Sequence, residues 1–292
     1  MIGKRLNAPT APRRDRRDHE PLLLRRTRAV LKHGVRVLVP VAADSRRVLA
    51  VFGCQRSGTT MLQQSLLDRS WRSLILEEHD RRLIRADDKE HLRWDDLETV
   101  AARVRALPFE LVVVKPLVES HRALHLLDRL TSARGIWMLR HYVDVAESNV
   151  RRFGLGNGLA DLRMVVAGDT ANWRASATGE VRDRVAALLA SGLSPIDAAA
   201  VFWWVRNRLY LDQGLAADGR IRVMRYEAMI DRRRETLEAL SRFLGLRLPT
   251  NAMLRHIRPA AVARKQLRPD VEQLCHELLE KFRDAPDLLA GG

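Results

Sequence analysis

The sequence has few cysteines and no long apolar run. Cys54 and Cys275 are the only two cysteines among 292 residues, which excludes a disulfide-stapled scaffold and a zinc site with four cysteine ligands. The longest apolar stretches, such as Val37–Ala43, have the length of a strand, whereas a membrane-spanning helix needs about 20 apolar residues. The sequence also lacks a Cys/His ligand cluster. We therefore expect neither a membrane span nor a bound metal.

Acidic residues are outnumbered, with 36 Asp and Glu against 51 Lys and Arg and a formal net charge of +15. The excess is concentrated at the start, because residues 1–47 contain 13 basic and 4 acidic residues. The charged run Arg13–Arg17 is typical of a disordered chain, whereas Leu22–Val39 resembles an amphipathic helix. We predict a basic extension over 1–47, partly disordered or helical, followed by one α/β domain over 48–292.

The sequence does not determine what this extension contacts. A basic segment can be solvated, pack on the body, contact an anionic membrane or bind nucleic acid. We expect no nucleic acid and keep peripheral membrane contact as an alternative. The start of the chain does not resemble a secretory signal, because no apolar core and no small-residue cleavage site follow its basic part. The predicted localisation is cytoplasmic, with attachment to the inner face of a membrane left open.

From residue 48 onward, short apolar runs alternate with segments of helical periodicity. The runs that predict strands are Val48–Phe52, Ser73–Leu76, Glu110–Val114, Gly135–Leu139 and Arg220–Met224. Continuous apolar strands between amphipathic helices are typical of a parallel sheet that is covered on both faces. We predict a P-loop-like, three-layer α/β fold with a central, mostly parallel sheet. The glycine-rich stretch Gly154–Thr170 is interpreted as a loop or lid.

The most informative stretch is VLAVFGCQRSGTTML, Val48–Leu62. It predicts a buried strand, a glycine turn and a helix, with Gly53 and Gly58 spaced as in the phosphate-binding loop G-x-x-x-x-G-K-[ST]. Such a loop turns backbone N–H groups and a helix N-terminus towards an anion. The lysine that a triphosphate hydrolase places after the second glycine is Thr59 here, and the cation of the loop is Arg56 instead. This departure argues against an ATP or GTP hydrolase.

The stretch GCQRSGTTML resembles the 5′-phosphosulfate loop of the sulfotransferases that use 3′-phosphoadenosine 5′-phosphosulfate (PAPS). The resemblance implies that a loop of five residues binds the 5′-phosphate: Arg56, Ser57, Gly58, Thr59 and Thr60. The family's second signature is a strand that ends in arginine, with a serine eight residues later. Here GIWMLR ends at Arg140 and Ser148 follows at that distance, which implies a pair that binds the 3′-phosphate. The usual Arg-Asp-Pro is Arg-His-Tyr in this chain.

Further matches extend the resemblance over roughly residues 48–246. Lys115, after the strand LVVV, is similar to the family's lysine near the sulfuryl group, and Tyr226 in VMRYEAM is similar to the tyrosine that borders the adenine. The pair Arg264 and Lys265 resembles the late loop that closes over the 3′-phosphate, although the usual glycine is replaced by Gln266. By this resemblance, Arg56 and Lys115 would stabilise the leaving phosphate oxygen.

The resemblance also directs the search for a general base. The histidine that serves the cytosolic members is replaced by Leu117, so their pattern fails here. Carbohydrate-type members use a glutamate after the second strand, where this chain has Glu77, Glu78 and His79. We favour Glu78, then Glu77, then His79, and regard Glu119 and His121 as weaker candidates. A surface acidic cluster that caps the next helix is the alternative explanation.

The resemblance implies a PAPS-dependent sulfotransferase that transfers a sulfuryl group to a hydroxyl or amine. The transfer would be in line, with a carboxylate base and PAPS as co-substrate, and without a metal. The acceptor would be a small molecule or glycan that the sequence does not identify, and carbohydrate, lipid and secondary-metabolite hydroxyls all stay open. The alternatives are a P-loop small-molecule kinase and a non-catalytic module that binds nucleotides or polyanions. Cys54 lies inside the loop, where a helix N-terminus can lower a thiol pKa, but we interpret it as a small filler.

Overall fold

A computed structural model describes residues 27, 30–32, 34, 41–42, 45–66, 70–85, 93–130, 132–248 and 265–290. Its centre is a five-stranded sheet made of β1 Arg47–Gly53, β2 Ser73–Leu76, β3 Leu111–Val114, β4 Ala133–Leu139 and β5 Ile221–Arg225. The order across the sheet is β2-β3-β1-β4-β5, and every pair of neighbouring strands is parallel. All five strands lie where the sequence predicted them.

One or more helices follow each strand. They are a π-helix Met61–Leu66, then α1 Leu97–Arg105, α2 Ala123–Arg129, α3 Tyr142–Phe153, α4 Asn157–Ala167, α5 Gly179–Ala190, α6 Pro195–Asp212, α7 Tyr226–Asp231, α8 Arg233–Leu244 and α9 Pro269–Lys281. The start of α6 shows how local sequence sets a boundary: the Ser194 side chain accepts a hydrogen bond from the Asp197 N–H, and Pro195 occupies the first turn.

The sheet is buried on both faces, as the apolar strands require. In β1, Ala50 and Phe52 face a core shared with α1 to α6 and α9, whereas Leu49 and Val51 face a second core shared with α7 and α8. Successive side chains of a strand point to opposite faces, so one apolar run supplies both cores. The predicted three-layer α/β architecture is confirmed.

The expected loop over Gly154–Thr170 is wrong, because most of it forms α4. Gly154, with φ of 93°, ends α3, and Gly168, with φ of 69°, ends α4. Gly158 is required by packing: a Cβ there would lie 2.7 Å from the backbone N of Ala199 in α6. The glycines therefore mark two helix ends and one close helix–helix contact rather than a loop.

Most of the predicted extension over 1–47 lies outside the described residues. Thr27, Val30–Lys32 and Gly34 are helical, and Lys32 is buried, with its Nζ donating to the carbonyl of Ser73 at 3.4 Å. This contact joins the segment to the start of β2. The role and the boundary of the extension stay predictions. Within the described part of the chain, no helix combines the length and the apolarity needed to cross a membrane.

Candidate active site

The glycine turn after β1 lies at the carboxyl edge of the sheet, between two neighbouring strands. Gly53 has a φ of 118°, and a Cβ there would lie 2.6 Å from the carbonyl oxygen of Met138 in β4. Arg56 and Gly58 also have positive φ values, of 71° and 92°. The chain becomes helical at Thr59, so the first helical N–H groups open onto this edge. The Ser57 hydroxyl is buried without a hydrogen-bond partner in the described structure.

Arg140 and Ser148, the two residues predicted to bind the 3′-phosphate, both contact this turn. They lie 84 and 92 positions from Arg56 in the sequence. The Arg56 Nε donates to the Ser148 Oγ at 3.0 Å, and the Arg140 Nη1 donates to the Arg56 carbonyl at 3.2 Å. Arg140 follows β4, the direct neighbour of β1, and Ser148 lies in α3. Both are largely buried, with 5% and 3% of their surfaces exposed. The structure thus brings the two predicted phosphate-binding places into contact.

The electrostatics of this place favour an anion. Burial lowers the pKa of Arg56, and the positive charges of Arg152, Arg140 and Arg151 lower it further. Within the described part of the chain, no carboxylate forms a salt bridge with Arg56 or Arg140. The Arg140 Nε is buried and has no hydrogen-bond partner there. Because clustered guanidinium groups repel one another, a bound phosphate would relieve the repulsion and satisfy the free donor.

Tyr226 closes one side of the turn. The Arg140 guanidinium lies 4.2 Å from the centre of its ring, and a Cβ on Gly58 would come within 2.4 Å of its Cδ2. Of the predicted late basic pair, Arg264 lies outside the described residues. The backbone N–H of Lys265 donates to the Glu147 carboxylate at 2.6 Å, beside Ser148, while the Lys265 side chain is exposed.

Lys115 links the turn to the predicted base. Its Nζ lies 2.8 Å from the Glu78 Oε1 and donates to the Thr60 Oγ1 at 3.4 Å. Lys115 and Glu78 follow β3 and β2, which are adjacent in the sheet, so the carboxyl ends of three strands converge here. Glu77 is half-buried and His79 is exposed. The contact at 2.8 Å thus places Glu78 directly beside the Lys115 cation.

Glu119 and His121 occupy a separate, buried cluster. The fully buried Glu119 side chain accepts hydrogen bonds from Arg93, Arg122 and the Trp94 N–H. These contacts lower its pKa, although burial by itself would raise it. Burial lowers the pKa of His121 to about 4, against the opposing effect of Glu119. Glu119 is thus engaged by three donors, and His121 is a poor proton acceptor near pH 7.

The structure reveals two supports that the sequence did not single out as site residues. The Ser120 Oγ accepts a hydrogen bond from the Gly53 N–H at 3.3 Å and so holds the first residue of the turn. The Trp203 Nε1 donates to the Arg140 carbonyl at 3.0 Å. Trp203 is fully buried in α6. Neither contact has a signal in the local sequence, because both join distant segments.

Cys54 is a buried filler, as predicted. Burial raises the pKa of its thiol to about 12 and outweighs the opposing charge of Arg206. The helix N-terminus therefore does not activate this cysteine. Within the described residues, no group of three or more His, Cys, Asp or Glu side chains is arranged to hold a metal ion, and the expectation that the reaction needs no metal stays a prediction.

Comparison with known proteins agrees with this geometry. The sequence matches the model of the sulfotransferase domain over residues 46–273. No curated protein matches the chain in a sequence search. Similar solved structures include sulfotransferase STF9 from Mycobacterium avium, with a TM-score of 0.50, 15% identity and coverage of 89% of this chain and 81% of that one.

Two further structures have lower TM-scores. The sulfotransferase from Alicyclobacillus acidocaldarius has a TM-score of 0.46 and 15% identity over 86% of this chain and 97% of that one. The sulfotransferase domain from the Synechococcus PCC 7002 olefin synthase has a TM-score of 0.45 and 17% identity over 80% and 94%. At such identities, the structural likeness concerns the fold alone. The sequence match covers well over half of the chain, and the chain therefore belongs to the sulfotransferase family, whose members generally take the sulfuryl group from PAPS.

Proposed function

We propose that this enzyme transfers the sulfuryl group of PAPS to a hydroxyl or amine of a carbohydrate or lipid acceptor, by in-line transfer with a carboxylate base. The observation that carries the proposal is the contact between Arg56 and Ser148, with Arg140 against the same turn. Two cations without carboxylate partners in the described structure suit a ligand with two phosphate groups, and PAPS carries one phosphate at each end of its ribose.

The donor set fits such a ligand. The 5′-phosphate would be held by the backbone N–H groups of the turn and by the side chains of Arg56, Ser57, Thr59 and Thr60. One feature supports this: the Ser57 hydroxyl is buried and has no hydrogen-bond partner among the described residues. The 3′-phosphate would lie at Arg140 and Ser148, with Arg264 and Lys265 closing over it. Tyr226, which packs on Arg140, would border the adenine.

The chemistry would need charge stabilisation at one oxygen and removal of one proton. PAPS supplies an activated sulfuryl group whose S–O bond to the 5′-phosphate breaks as the bond to the acceptor oxygen or nitrogen forms. Lys115 and Arg56 would stabilise the negative charge that develops on the leaving phosphate oxygen. Glu78 would accept the acceptor's proton. Its contact with Lys115 at 2.8 Å supports this assignment, because it puts the carboxylate beside the cation that faces the leaving group.

The other base candidates have weaker support. His79 is exposed, and Glu119 is already engaged by Arg93 and Arg122. The family implies a small-molecule acceptor, and we place a carbohydrate or lipid hydroxyl ahead of other classes. Cytoplasmic localisation, the absence of a nucleic-acid partner and peripheral membrane contact through residues 1–47 remain parts of the proposal that await an experiment.

The binding of 3′-phosphoadenosine 5′-phosphate to the purified chain tests the proposal. We expect micromolar affinity by calorimetry and a loss of at least about 100-fold in Arg140→Ala, because that change removes a charged donor from a buried site. Arg242→Ala, at an exposed position of α8, is the matched control and should bind as the unaltered chain does. Preference for ATP with Mg²⁺ would instead support a kinase. Salt-sensitive DNA binding that disappears on deletion of residues 1–47 would support a polyanion-binding module.

A further inference from the structure

Exposed apolar side chains are concentrated where α3 passes into α4. Phe153, Leu155 and Met164 have 46%, 66% and 40% of their surfaces exposed. They are three of the six large hydrophobic residues that are exposed in the described structure, and they lie within twelve positions of one another. Scattered apolar residues on a surface need no explanation, but a cluster of them marks an interaction site. We refer to these three residues, together with Arg163, as the α3–α4 rim.

The geometry of α4 explains why this face is left open. Gly158, Leu162 and Val165 are buried on one side of the helix, where Gly158 meets the backbone of α6. Positions 160, 163, 164 and 167 are exposed on the other side and recur with the three-to-four-residue spacing of one helix face. Met164 and Arg163 are thus held outward by the packing of the opposite side.

Between residues 145 and 168, the exposed charges all have one sign. Arg151, Arg152 and Arg163 are exposed, and no carboxylate in the described part of the chain forms a salt bridge with any of them. Residues 145–168 contain two acidic side chains, Glu147 and Asp161, and both are buried. Asp161 pairs with Arg174, and Glu147 accepts the Lys265 N–H. The exposed surface of this segment therefore presents arginines and apolar groups without a negative charge.

The rim borders the candidate active site. The Phe153 ring centre lies 6.0 Å from the Arg56 Cζ and 5.7 Å from the Arg152 Cζ. Phe153 is the last residue of α3, the helix that carries Ser148. A partner seated on the rim would therefore lie one aromatic ring away from the cation of the glycine turn.

We propose that the α3–α4 rim docks the enzyme on an anionic lipid surface. Leu155, Met164 and Phe153 would enter the boundary between headgroups and acyl chains, and the arginines would contact lipid phosphates. A bilayer fits better than a protein partner, because three apolar side chains with unpaired arginines make a small patch, whereas a stable protein interface buries roughly 800 Å² per partner. Docking in this way would bring Arg56 close to the lipid. The acceptor of the sulfuryl group would then be an amphiphilic molecule in that surface, a consequence that rests on the proposed function.

Sedimentation of the full chain with lipid vesicles tests the docking. We expect binding to phosphatidylcholine vesicles that contain about one third phosphatidylglycerol, and little binding to pure phosphatidylcholine. Arg163→Gln should weaken the partition coefficient about fivefold, as the loss of one cation near an anionic surface predicts. Leu155→Asp should weaken it by more than about tenfold, since it removes an apolar contact and adds a negative charge. Arg242→Gln removes a charge from α8, which covers the opposite face of the sheet, and should change little.

A fluorescent label tests whether the rim itself enters the lipid. Cys54 and Cys275 are buried, so a thiol-reactive, environment-sensitive dye on Leu155→Cys reports on that position. We expect its emission to shift to the blue with anionic vesicles, and a dye on Arg242→Cys to stay unchanged. Binding that is unaltered in Leu155→Asp and Arg163→Gln would overturn the proposal and assign the contact to residues 1–47. Absence of binding to either vesicle would overturn it in favour of a protein partner. Neither donor nor acceptor is present, so failure here leaves the proposed sulfuryl transfer untouched.

Discussion

The Arg56 Nε donates a hydrogen bond to the Ser148 Oγ across 3.0 Å, although 92 positions separate the two residues in the chain. The contact joins the turn after β1 to the second turn of α3. It exists because β1 and β4 are neighbours in the sheet and each is followed by a helix that starts at the same edge. A ligand that binds between them would replace this hydrogen bond with its own phosphate oxygens, so the two residues would act on one molecule.

Ser148→Ala should therefore affect one phosphate and not the other. We expect the affinity for 3′-phosphoadenosine 5′-phosphate to fall about tenfold, the usual cost of one hydrogen bond to a charged group. The affinity for adenosine 5′-phosphate, which lacks the 3′-phosphate, should stay within about twofold. Calorimetry on both ligands measures this difference, and Ser241→Ala in α8 is the control. Equal losses for the two ligands would contradict the assignment of Ser148 to the 3′-phosphate.

Glu78→Gln should lower turnover without lowering donor affinity. A general base contributes about 100- to 10,000-fold to a rate, so we expect kcat to fall by at least about 100-fold in a PAPS assay with a panel of hydroxyl acceptors. The affinity for 3′-phosphoadenosine 5′-phosphate should change little, which separates a chemical role from a collapsed site. Glu77→Gln is the matched control at the adjacent position and should retain most of the turnover. Full activity in Glu78→Gln would remove Glu78 as the base.

Gly58→Ala should disrupt the turn, whereas the same substitution at Gly156 should not. The new Cβ would lie 2.4 Å from the Tyr226 Cδ2, and φ at this position is 92°, which L-residues adopt at a cost of about 1–3 kcal/mol. We expect a lower melting temperature and a loss of nucleotide binding. Gly156→Ala is the control, because a Cβ there meets nothing within 4 Å. Equal melting curves and affinities for the two variants would show that the turn tolerates a side chain at residue 58.

The lowered pKa of His121 should reduce the free energy of unfolding in mild acid. Burial lowers its pKa in the folded chain to about 4, whereas an unfolded histidine takes up its proton near pH 6.5. The unfolded state therefore binds more protons between these values, and stability falls as the pH falls. Between pH 7 and pH 5, we expect the unaltered chain to lose about 2 kcal/mol more than His121→Gln does.

Denaturant unfolding at the two pH values measures this difference. The pKa of Glu119 is also lowered, but its contribution to stability is lost only as the pH falls below about 4.5, the ordinary value for glutamate. The interval from pH 7 to pH 5 therefore avoids most of the contribution of Glu119, and the comparison with His121→Gln isolates the histidine. Parallel loss of stability in the two proteins would show that His121 titrates normally in the folded chain.

Much of the fold was readable from the sequence, because the deciding signals are local. Each strand is an apolar run bounded by turn residues, and the helix from Pro195 to Asp212 begins at a serine cap. The helix Asn157–Ala167 was missed for a physical reason. Glycines in such number normally indicate a loop. Here Gly154 and Gly168 end two helices, and Gly158, which has no Cβ, lets α6 approach closely. A close approach of two helices has no signature in either helix by itself.

The sequence by itself determined the order of strands and helices, the shape of the turn around Arg56 and the chemical type of the site residues, because these follow from periodicity, glycine placement and side-chain chemistry. The tertiary structure alone decided which of these residues meet. It set Glu78 against Lys115 and Ser148 against Arg56, engaged Glu119 in a buried cluster, and turned Leu155 and Met164 outward. The parallel strand order β2-β3-β1-β4-β5 is the physical reason, because it brings the ends of distant segments to one edge of the sheet.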